Sequence, residues 1–216
     1  MLERMENFFS ARLNEYDEHM LNGIESAKEF YSYTASLLPM EYEAELLDLG
    51  CGTGLELEFY YRRNGKAAIV GIDLSADMLS VLKRKFENQR INLICASYFD
   101  VPLEADRFSA AVSVESLHHF SAEQKLPLYK RLLTSLSSDG YFVLTDYFAE
   151  SDEMENFCFS ELARIKGEQG LEKDSFYHFD TPLTPEHEIE VLIKAGFSKV
   201  QIMQNWKATY TLLASR

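Results

Sequence analysis

Long apolar runs are missing from this chain. No stretch approaches the roughly 20 consecutive apolar residues of a membrane-spanning helix, so no membrane partner is expected. Basic residues are also scarce: 21 lysines and arginines face 35 aspartates and glutamates, a formal net charge of −14. Nucleic-acid binding draws its affinity from cationic side chains set against phosphates, so this balance argues against nucleic acid and for a small-molecule partner. The densest basic run, Lys83-Arg84-Lys85, reads as the solvated face of a helix. Cysteine is sparse too. Cys51, Cys95 and Cys158 lie far apart, without the close spacing of a zinc site or the framework of a disulfide-stapled domain. Reduced thiols and a cytoplasmic location are expected, since the acidic opening Met1-Leu2-Glu3-Arg4-Met5-Glu6 lacks the apolar region of a secretion signal. Repeats and low-complexity segments are absent. With 216 residues, 46% of them hydrophobic, the chain is able to bury the core of one domain, as a monomer or a homodimer.

The most informative stretch is Leu46-Leu47-Asp48-Leu49-Gly50-Cys51-Gly52-Thr53-Gly54. An apolar run ends in an acid, glycines follow at alternate positions, and a helical pattern starts at Leu55. Glycines so spaced let the backbone turn sharply and a ligand approach closely, at the carboxyl end of a strand and the start of a helix. Two other nucleotide loops do not fit. A dinucleotide fingerprint needs its third glycine where Leu55 stands, and a phosphate-gripping loop needs a Gly-Lys-Ser/Thr that is absent here. Ala67-Ala68-Ile69-Val70-Gly71-Ile72-Asp73 reads as a second buried strand, again ending in an acid, whose carboxylate suits the two hydroxyls of a ribose. Ser75 stands where a helix N-cap belongs, and Met78, Leu79, Leu82 and Phe86 keep the spacing of a buried helix face.

The pattern D-x-G-x-G-x-G closing a first strand resembles motif I of the class I S-adenosylmethionine (SAM) dependent methyltransferases, and the resemblance runs from about Glu45 to the C-terminus. It implies SAM as cofactor, with S-adenosylhomocysteine as product. By the same resemblance, Asp48 and the loop residues Gly50, Cys51, Gly52 and Gly54 seat the methionine portion. Asp73 takes the ribose, and Leu74 and Met78 sandwich the adenine. Many relatives carry Gly-Asp-Ala where this chain has Ala96-Ser97-Tyr98. The Ser97 hydroxyl then accepts from the adenine amino group without charge assistance, and the Tyr98 backbone N–H serves a ring nitrogen.

A fourth strand, Phe108 to Val114, ends in Glu115-Ser116-Leu117-His118-His119-Phe120, where such enzymes place residues beside the methionine end and the acceptor. No Asn/Asp-Pro-Pro-aromatic motif occurs there, which disfavours methylation of adenine or glutamine nitrogens. Glu115 is a candidate to hold the methionine ammonium or face the acceptor. His119, or its neighbour His118, is a candidate general base, since unperturbed imidazole titrates near neutrality. No aspartate or glutamate stands at ligand spacing from these histidines, so no metal is expected.

The remaining pattern predicts a helix over Ser121 to Leu136, a turn at Ser137-Ser138-Asp139-Gly140 and a fifth strand over Tyr141 to Asp146. A helix over Pro185 to Ala195 follows, capped by Thr184, ended by Gly196 and buried along Ile189, Leu192 and Ile193. A terminal hairpin, Val200 to Met203 and Ala208 to Leu213, closes the chain through a turn at Asn205-Trp206-Lys207. The expected fold is α/β: a Rossmann-like, doubly wound, seven-stranded, mostly parallel sheet with an antiparallel last strand, plus an N-terminal helical lid. Residues 1–40 form the lid, with Tyr16 the candidate to set an aromatic face against the cofactor's sulfonium. Residues 41–216 form the SAM-binding domain, with an aromatic-rich insertion at 149–181 suited to line an acceptor pocket. The expected function is methyl transfer from SAM to a small-molecule acceptor by in-line displacement. Two competing readings are a non-catalytic SAM-binding or scaffold protein and a nicotinamide-dependent oxidoreductase, whose sheet would lack the terminal hairpin.

Overall fold

The computed structural model describes residues 1–172 and 175–216. Its centre is one seven-stranded sheet of β1 (Glu45–Leu49), β2 (Ala68–Asp73), β3 (Arg90–Cys95), β4 (Phe108–Val114), β5 (Leu136–Tyr147), β6 (Lys199–Trp206) and β7 (Thr209–Ser215). The spatial order is β3-β2-β1-β4-β5-β7-β6. Neighbours from β3 to β5 pair in parallel, while β7 runs antiparallel to both β5 and β6. The chain winds outward from β1 to β3, then returns to place β4 on the other side of β1. At that reversal the carboxyl ends of β1 and β4 open a crevice, the usual ligand position of such sheets.

Alternate residues of the strands feed two cores. Leu47, Leu49, Val70, Ile72, Ala111, Phe142 and Leu144 pack on one face, under α6 (Ala122–Ser135) and α8 (Pro185–Ala195). Leu46, Ile69, Ala110, Val112 and Val143 pack on the other, under α3 (Ala27–Leu37), α4 (Leu55–Tyr61) and α5 (Ala76–Lys85). Local signals set where the helices start and stop. Ser75, Ser121 and Thr184 accept from the backbone N–H groups of Met78, Gln124 and His187, and left-handed Gly196 ends α8. Residues N-terminal to the sheet also form α1 (Met5–Ala11), α2 (Leu13–Glu18) and a π-helical turn (His19–Gly23). The insertion contributes α7 (Asp152–Gln169), closed by left-handed Gly170; its residues 173–174 lie outside the described residues.

Four local expectations are revised. Residues 137–140 belong to β5, where they bulge between the pairs Phe108↔Leu136 and Ala110↔Tyr141, instead of forming a free turn. The hairpin turn falls at Lys207-Ala208, because Asn205 and Trp206 still pair with β7. On α8 the sheet-facing residues are Glu188, Val191, Leu192 and Ala195, while Ile193 is 47% exposed. Lys85 is not simply solvated: its Nζ donates to Asp17 Oδ2 at 2.5 Å and to Glu58 Oε1 at 2.7 Å.

Buried Glu188 explains how α8 stays registered on α6. Lys125 Nζ donates to Glu188 Oε2 at 2.5 Å, Tyr129 Oη donates to Oε1, and both charged side chains are only 1% exposed. A buried pair is costly to create, yet costlier to half-remove, since the surviving charge stays desolvated. Glu188→Ala should therefore cost about 3 kcal/mol or more and lower Tm by roughly 6 °C or more, read by circular dichroism. The triple replacement Lys125→Met, Tyr129→Phe and Glu188→Leu should recover most of that loss. An unchanged Tm for Glu188→Ala would show that the network contributes nothing.

Candidate active site

The loop after β1 has three left-handed glycines: Gly50 at φ 75°, Gly52 at 48° and Gly54 at 77°. At Gly50 the requirement is also steric, because an added Cβ would lie 2.0 Å from Ser116 Oγ. The loop is pinned to the end of β2 through Asp73. Its Oδ2 accepts from the Gly52 N–H at 2.9 Å and its Oδ1 from the Ser75 N–H at 2.8 Å. Burial nevertheless raises the Asp73 carboxyl above its ordinary value, against these two donors.

Beneath the loop, Asp48 and Glu56 form a buried, hydrogen-bonded carboxyl pair, 1% and 4% exposed. Burial pushes Glu56 up to about 7, opposed by the hydrogen bond from Asp48, and burial with the Glu56 charge holds Asp48 well above the carboxylate range. One oxygen of each, Asp48 Oδ2 and Glu56 Oε1, has no hydrogen-bond partner among the described residues.

Two cavities meet at the carboxyl end of the sheet. The smaller, about 50 Å³, has Gly50, Gly52, Asp73, Leu74, Met78, Tyr98 and Ser116 on its sheet side. Met5, Phe9 and Tyr16 from α1 and α2 close it from above. The larger, about 680 Å³, shares Phe9, Tyr16, Glu115 and His119 with it and adds Phe8, Arg12, His118, Tyr147, His178 and Asp180. The cover is fastened at Asp17 on α2, which accepts from Thr53 Oγ1 on the glycine loop and from Lys85, both at 2.5 Å. It also joins the insertion: Met5 N–H donates to Phe176 O at 3.1 Å, His178 N–H to Glu3 O at 3.0 Å, and the Phe8 and His178 rings stack at 3.5 Å.

The candidate residues therefore divide. Gly50, Gly52, Asp73, Leu74, Met78, Tyr98, Tyr16, Glu115 and His119 share the smaller cavity. Asp48, Cys51, Gly54 and Ser97 do not line it. Cys51 Sγ fills the space beside Gly71, where a Cβ would come within 2.8 Å. A Cβ on Gly54 would come within 2.9 Å of the Phe86 ring, so this glycine lets the loop approach α5 closely. Ser97 Oγ accepts from the Phe99 N–H at 3.2 Å in a local turn.

After β4 the backbone enters the left-handed region at Glu115, φ 49°, a strained place for a residue with a side chain. A short 3₁₀ turn, Leu117–His119, then presents both histidines to the larger cavity. Asp146, near the end of β5, accepts from the Leu117 N–H at 2.8 Å through Oδ2 and holds His118 Nδ1 at 2.5 Å through Oδ1. Asp180 Oδ1 stands 3.5 Å from His118 Nε2 and 3.2 Å from His119 Nδ1. Burial pulls His118 down, but the Asp146 and Asp180 carboxylates prevail and hold it well above the usual imidazole value. Burial and then the His118 charge keep His119 below that value. Although burial raises Asp180, the two imidazoles draw it far below the carboxylate range. Burial pushes Glu115 up to about 8 and His178 down to about 4.

This cluster corrects the expectation that no acid stands at ligand distance from the histidines. His118, His119 and Asp180 bring one donor atom each within 4.8 Å of one another, as do Glu115, His118 and Asp146. The acids arrive from the end of β5 and from the insertion, so spacing along the chain could not show them. Asp146 did leave a trace, as a third buried strand with an acid near its carboxyl end, after Asp48 and Asp73. Asp180 and Glu56 left none.

The donor set tests which cofactor fits. Two unpartnered carboxyl oxygens behind a glycine loop, an acid at the end of β2 and no cation on the cavity's sheet side suit a positively charged, phosphate-free nucleoside. Fold and site together define a nucleoside-binding Rossmann-like protein. Residues 46–140 match the family described as Methyltransferase domain. Malonyl-[acyl-carrier protein] O-methyltransferase of Priestia megaterium is 30% identical over 125 residues, covering 58% of this chain and 44% of that protein. Carboxy-S-adenosyl-L-methionine synthase of Campylobacter jejuni is 26% identical over 191 residues, covering 83% and 79%. The solved SAM-dependent methyltransferase of Mesorhizobium loti superposes with a TM-score of 0.64 at 19% identity, covering 91% of this chain and 100% of that one, and it shares the fold. The matched methyltransferase domain and the similarity to SAM-dependent enzymes support a class I SAM-dependent methyltransferase, with SAM as its cofactor. It spans less than half the length of the Priestia relative.

The carboxyl pair makes stability depend on pH. Glu56 titrates at about 7 in the folded protein against 4.5 ordinarily, so the folded state binds its proton more tightly and stability falls as pH rises between those values. Glu56→Gln, whose amide donates to Asp48 at every pH, should raise Tm at pH 8 by roughly 3 °C or more and leave Tm at pH 5 nearly unchanged. Thermal melts at the two pH values decide it; an equal shift at both would refute the shared proton.

Proposed function

We propose that this chain transfers a methyl group from SAM to a small-molecule acceptor held in the larger cavity. The observation that carries this reading is the wall common to both cavities, formed by Phe9, Tyr16, Glu115 and His119. These residues border both cavities where they meet, so an acceptor in the larger one reaches the reacting end of a cofactor in the smaller. The cavity's volume, about 680 Å³, and its aromatic lining fit a small organic molecule. The names of the two relatives, an O-methyltransferase and a SAM-modifying synthase, agree with SAM chemistry on small or carrier-bound substrates. A net charge of −14 sets the chain against nucleic acid. Its three unpaired thiols fit a reducing, cytoplasmic setting, and among the described residues no helix is long and apolar enough to cross a membrane.

Bound SAM supplies a methyl group made electrophilic by its sulfonium. Each part of the site then has a task. Asp73 takes the ribose hydroxyls, Gly50 and Gly52 let the methionine portion approach the backbone, and Cys51 and Gly54 hold the loop's shape from behind. Asp48 and Glu56 support the glycine loop from beneath. Leu74 and Met78 flank the adenine, and Ser97 and Tyr98 border its edge. Residues 1–40 act as a lid over the domain 41–216. A cavity of about 50 Å³ is too small for the whole cofactor, so α1 and α2 swing outward to admit it and return to exclude water. Tyr16 then presents its ring to the sulfonium. His119 faces the acceptor as general base, with Glu115 beside it, and Asp146 fixes the His118 ring.

Calorimetric titration should show SAM binding that Asp73→Ala abolishes while S-adenosylhomocysteine behaves like SAM. Methyl-labelled SAM incubated with fractionated cell extract should label the small-molecule fraction. Label found only in macromolecules would overturn the acceptor class, and SAM binding without any label would make the chain a scaffold. With an acceptor in hand, His119→Ala should lower kcat by about 100-fold or more; undiminished turnover would remove His119 from the chemistry.

A further inference from the structure

We propose that His118, His119 and Asp180 form a three-ligand site for a divalent transition-metal cation of the zinc class, open to the larger cavity. Two imidazole nitrogens and one carboxylate oxygen are a donor set suited to Zn²⁺, Fe²⁺ or Mn²⁺. Two of the three donor spacings match a bound cation, and the two imidazole nitrogens lie within 4.8 Å of each other. Metal–ligand bonds of about 2.0–2.2 Å at angles between a right angle and the tetrahedral value place ligand atoms roughly 3.0–3.5 Å apart. Asp180 Oδ1 lies 3.5 Å from His118 Nε2 and 3.2 Å from His119 Nδ1.

Two further features separate this cluster from an incidental ion pair. Metal-binding histidines characteristically give their second nitrogen to a carboxylate, which fixes the ring and its tautomer. Asp146 does this for His118: it is 2% exposed, holds Nδ1 at 2.5 Å, and leaves Nε2 aimed towards Asp180. The two halves of the site are also joined by backbone, since Thr181 N–H donates to His118 O at 2.9 Å. Asp180 is therefore placed against the histidines by the chain itself, and does not depend on a mobile side chain finding them. The alternative trio of Glu115, His118 and Asp146 would displace the short His118–Asp146 bond deep in the protein, whereas the proposed site costs only the longer contact of His119 Nδ1 with Phe179 O, at 3.2 Å.

Three protein ligands leave coordination positions free, the arrangement of catalytic rather than structural metal sites. Those positions face a cavity of about 680 Å³, so an oxygen donor of the acceptor is able to occupy one and be made more acidic by the cation. With the cation in place His119 is a ligand and not a base. The effect on the acceptor rests on the methyl-transfer reading above; the binding of the cation does not.

The test uses the full-length protein, stripped with EDTA and titrated with Co²⁺, whose visible absorption reports coordination, and then with Zn²⁺ as competitor. One equivalent of Co²⁺ per chain, displaced by Zn²⁺, is expected. His118→Ala and Asp180→Asn should each abolish that signal, while Asp146→Asn, acting through His118, should weaken the affinity by about 10- to 100-fold. His187→Ala, a histidine outside the cavity, should leave it unchanged. SAM calorimetry on the same samples confirms that each variant is folded. Absence of stoichiometric Co²⁺ binding by the unaltered protein, or binding that survives both His118→Ala and Asp180→Asn, would overturn the site. Co²⁺ binding without SAM binding would support the metal site while refuting the methyl-transfer reading, and the reverse result would do the opposite.

Discussion

Parallel strands deliver all their carboxyl ends to one side of a sheet, and in this protein that rule concentrates acid in one place. Asp48, Asp73 and Asp146 stand near the ends of β1, β2 and β5; Asp48 and Asp146 are buried and Asp73 is half-buried. Buried carboxyls in such proximity are unfavourable unless each finds donors, shares a proton or meets a cation. The three answer that constraint differently. Asp73 takes two backbone N–H groups and so welds the glycine loop to β2. Asp48 is paired with Glu56, and burial beside that charge holds it toward its neutral form. Asp146 takes an imidazole and a backbone N–H, and so orders the turn that carries both histidines.

The cover over these ends is built from two segments that have no sequence relation to each other. The stretch before α1 and the stretch after α7 pair as a short antiparallel bridge, Arg4 with Tyr177, and Phe8 stacks on His178. Neither segment could bury its aromatic residues alone. Together they roof the larger cavity, while Asp17 anchors the adjoining helix to Thr53 and Lys85. The roof is held by a few polar contacts and ring stacks rather than by a deep core, and α7 beside it buries no residue fully. Segments with so few buried contacts are those that open at low free-energy cost.

How much of this was legible beforehand follows from the range of each interaction. Elements whose signals are local were readable: the glycine loop, the caps at Ser75 and Thr184, the stop at Gly196, and the strand-ending acids. Periodicity also separated the strands from the helices, because a sheet buried on both faces leaves near-continuous apolar runs. The misreadings were places where a partner decides. Residues 137–140 look like a turn by composition, yet β4 recruits them as a bulge. Ile193 looks like core by type, but Glu188 takes the inward position because Lys125 and Tyr129 await it there.

The sequence by itself determined the fold class, the cofactor and the crevice that receives it, since these depend on residues within one βαβ stretch whose chemistry is carried by adjacent positions. Only the tertiary structure decided the cluster that lines the larger cavity. Asp180, His118, His119 and Asp146 come from three separated segments, and nothing in their spacing announces that they meet. Their convergence is set by the length of β5, the path of the insertion and the backbone bond from Thr181 to His118. Those are long-range pairings, fixed only when the whole sheet has closed around them.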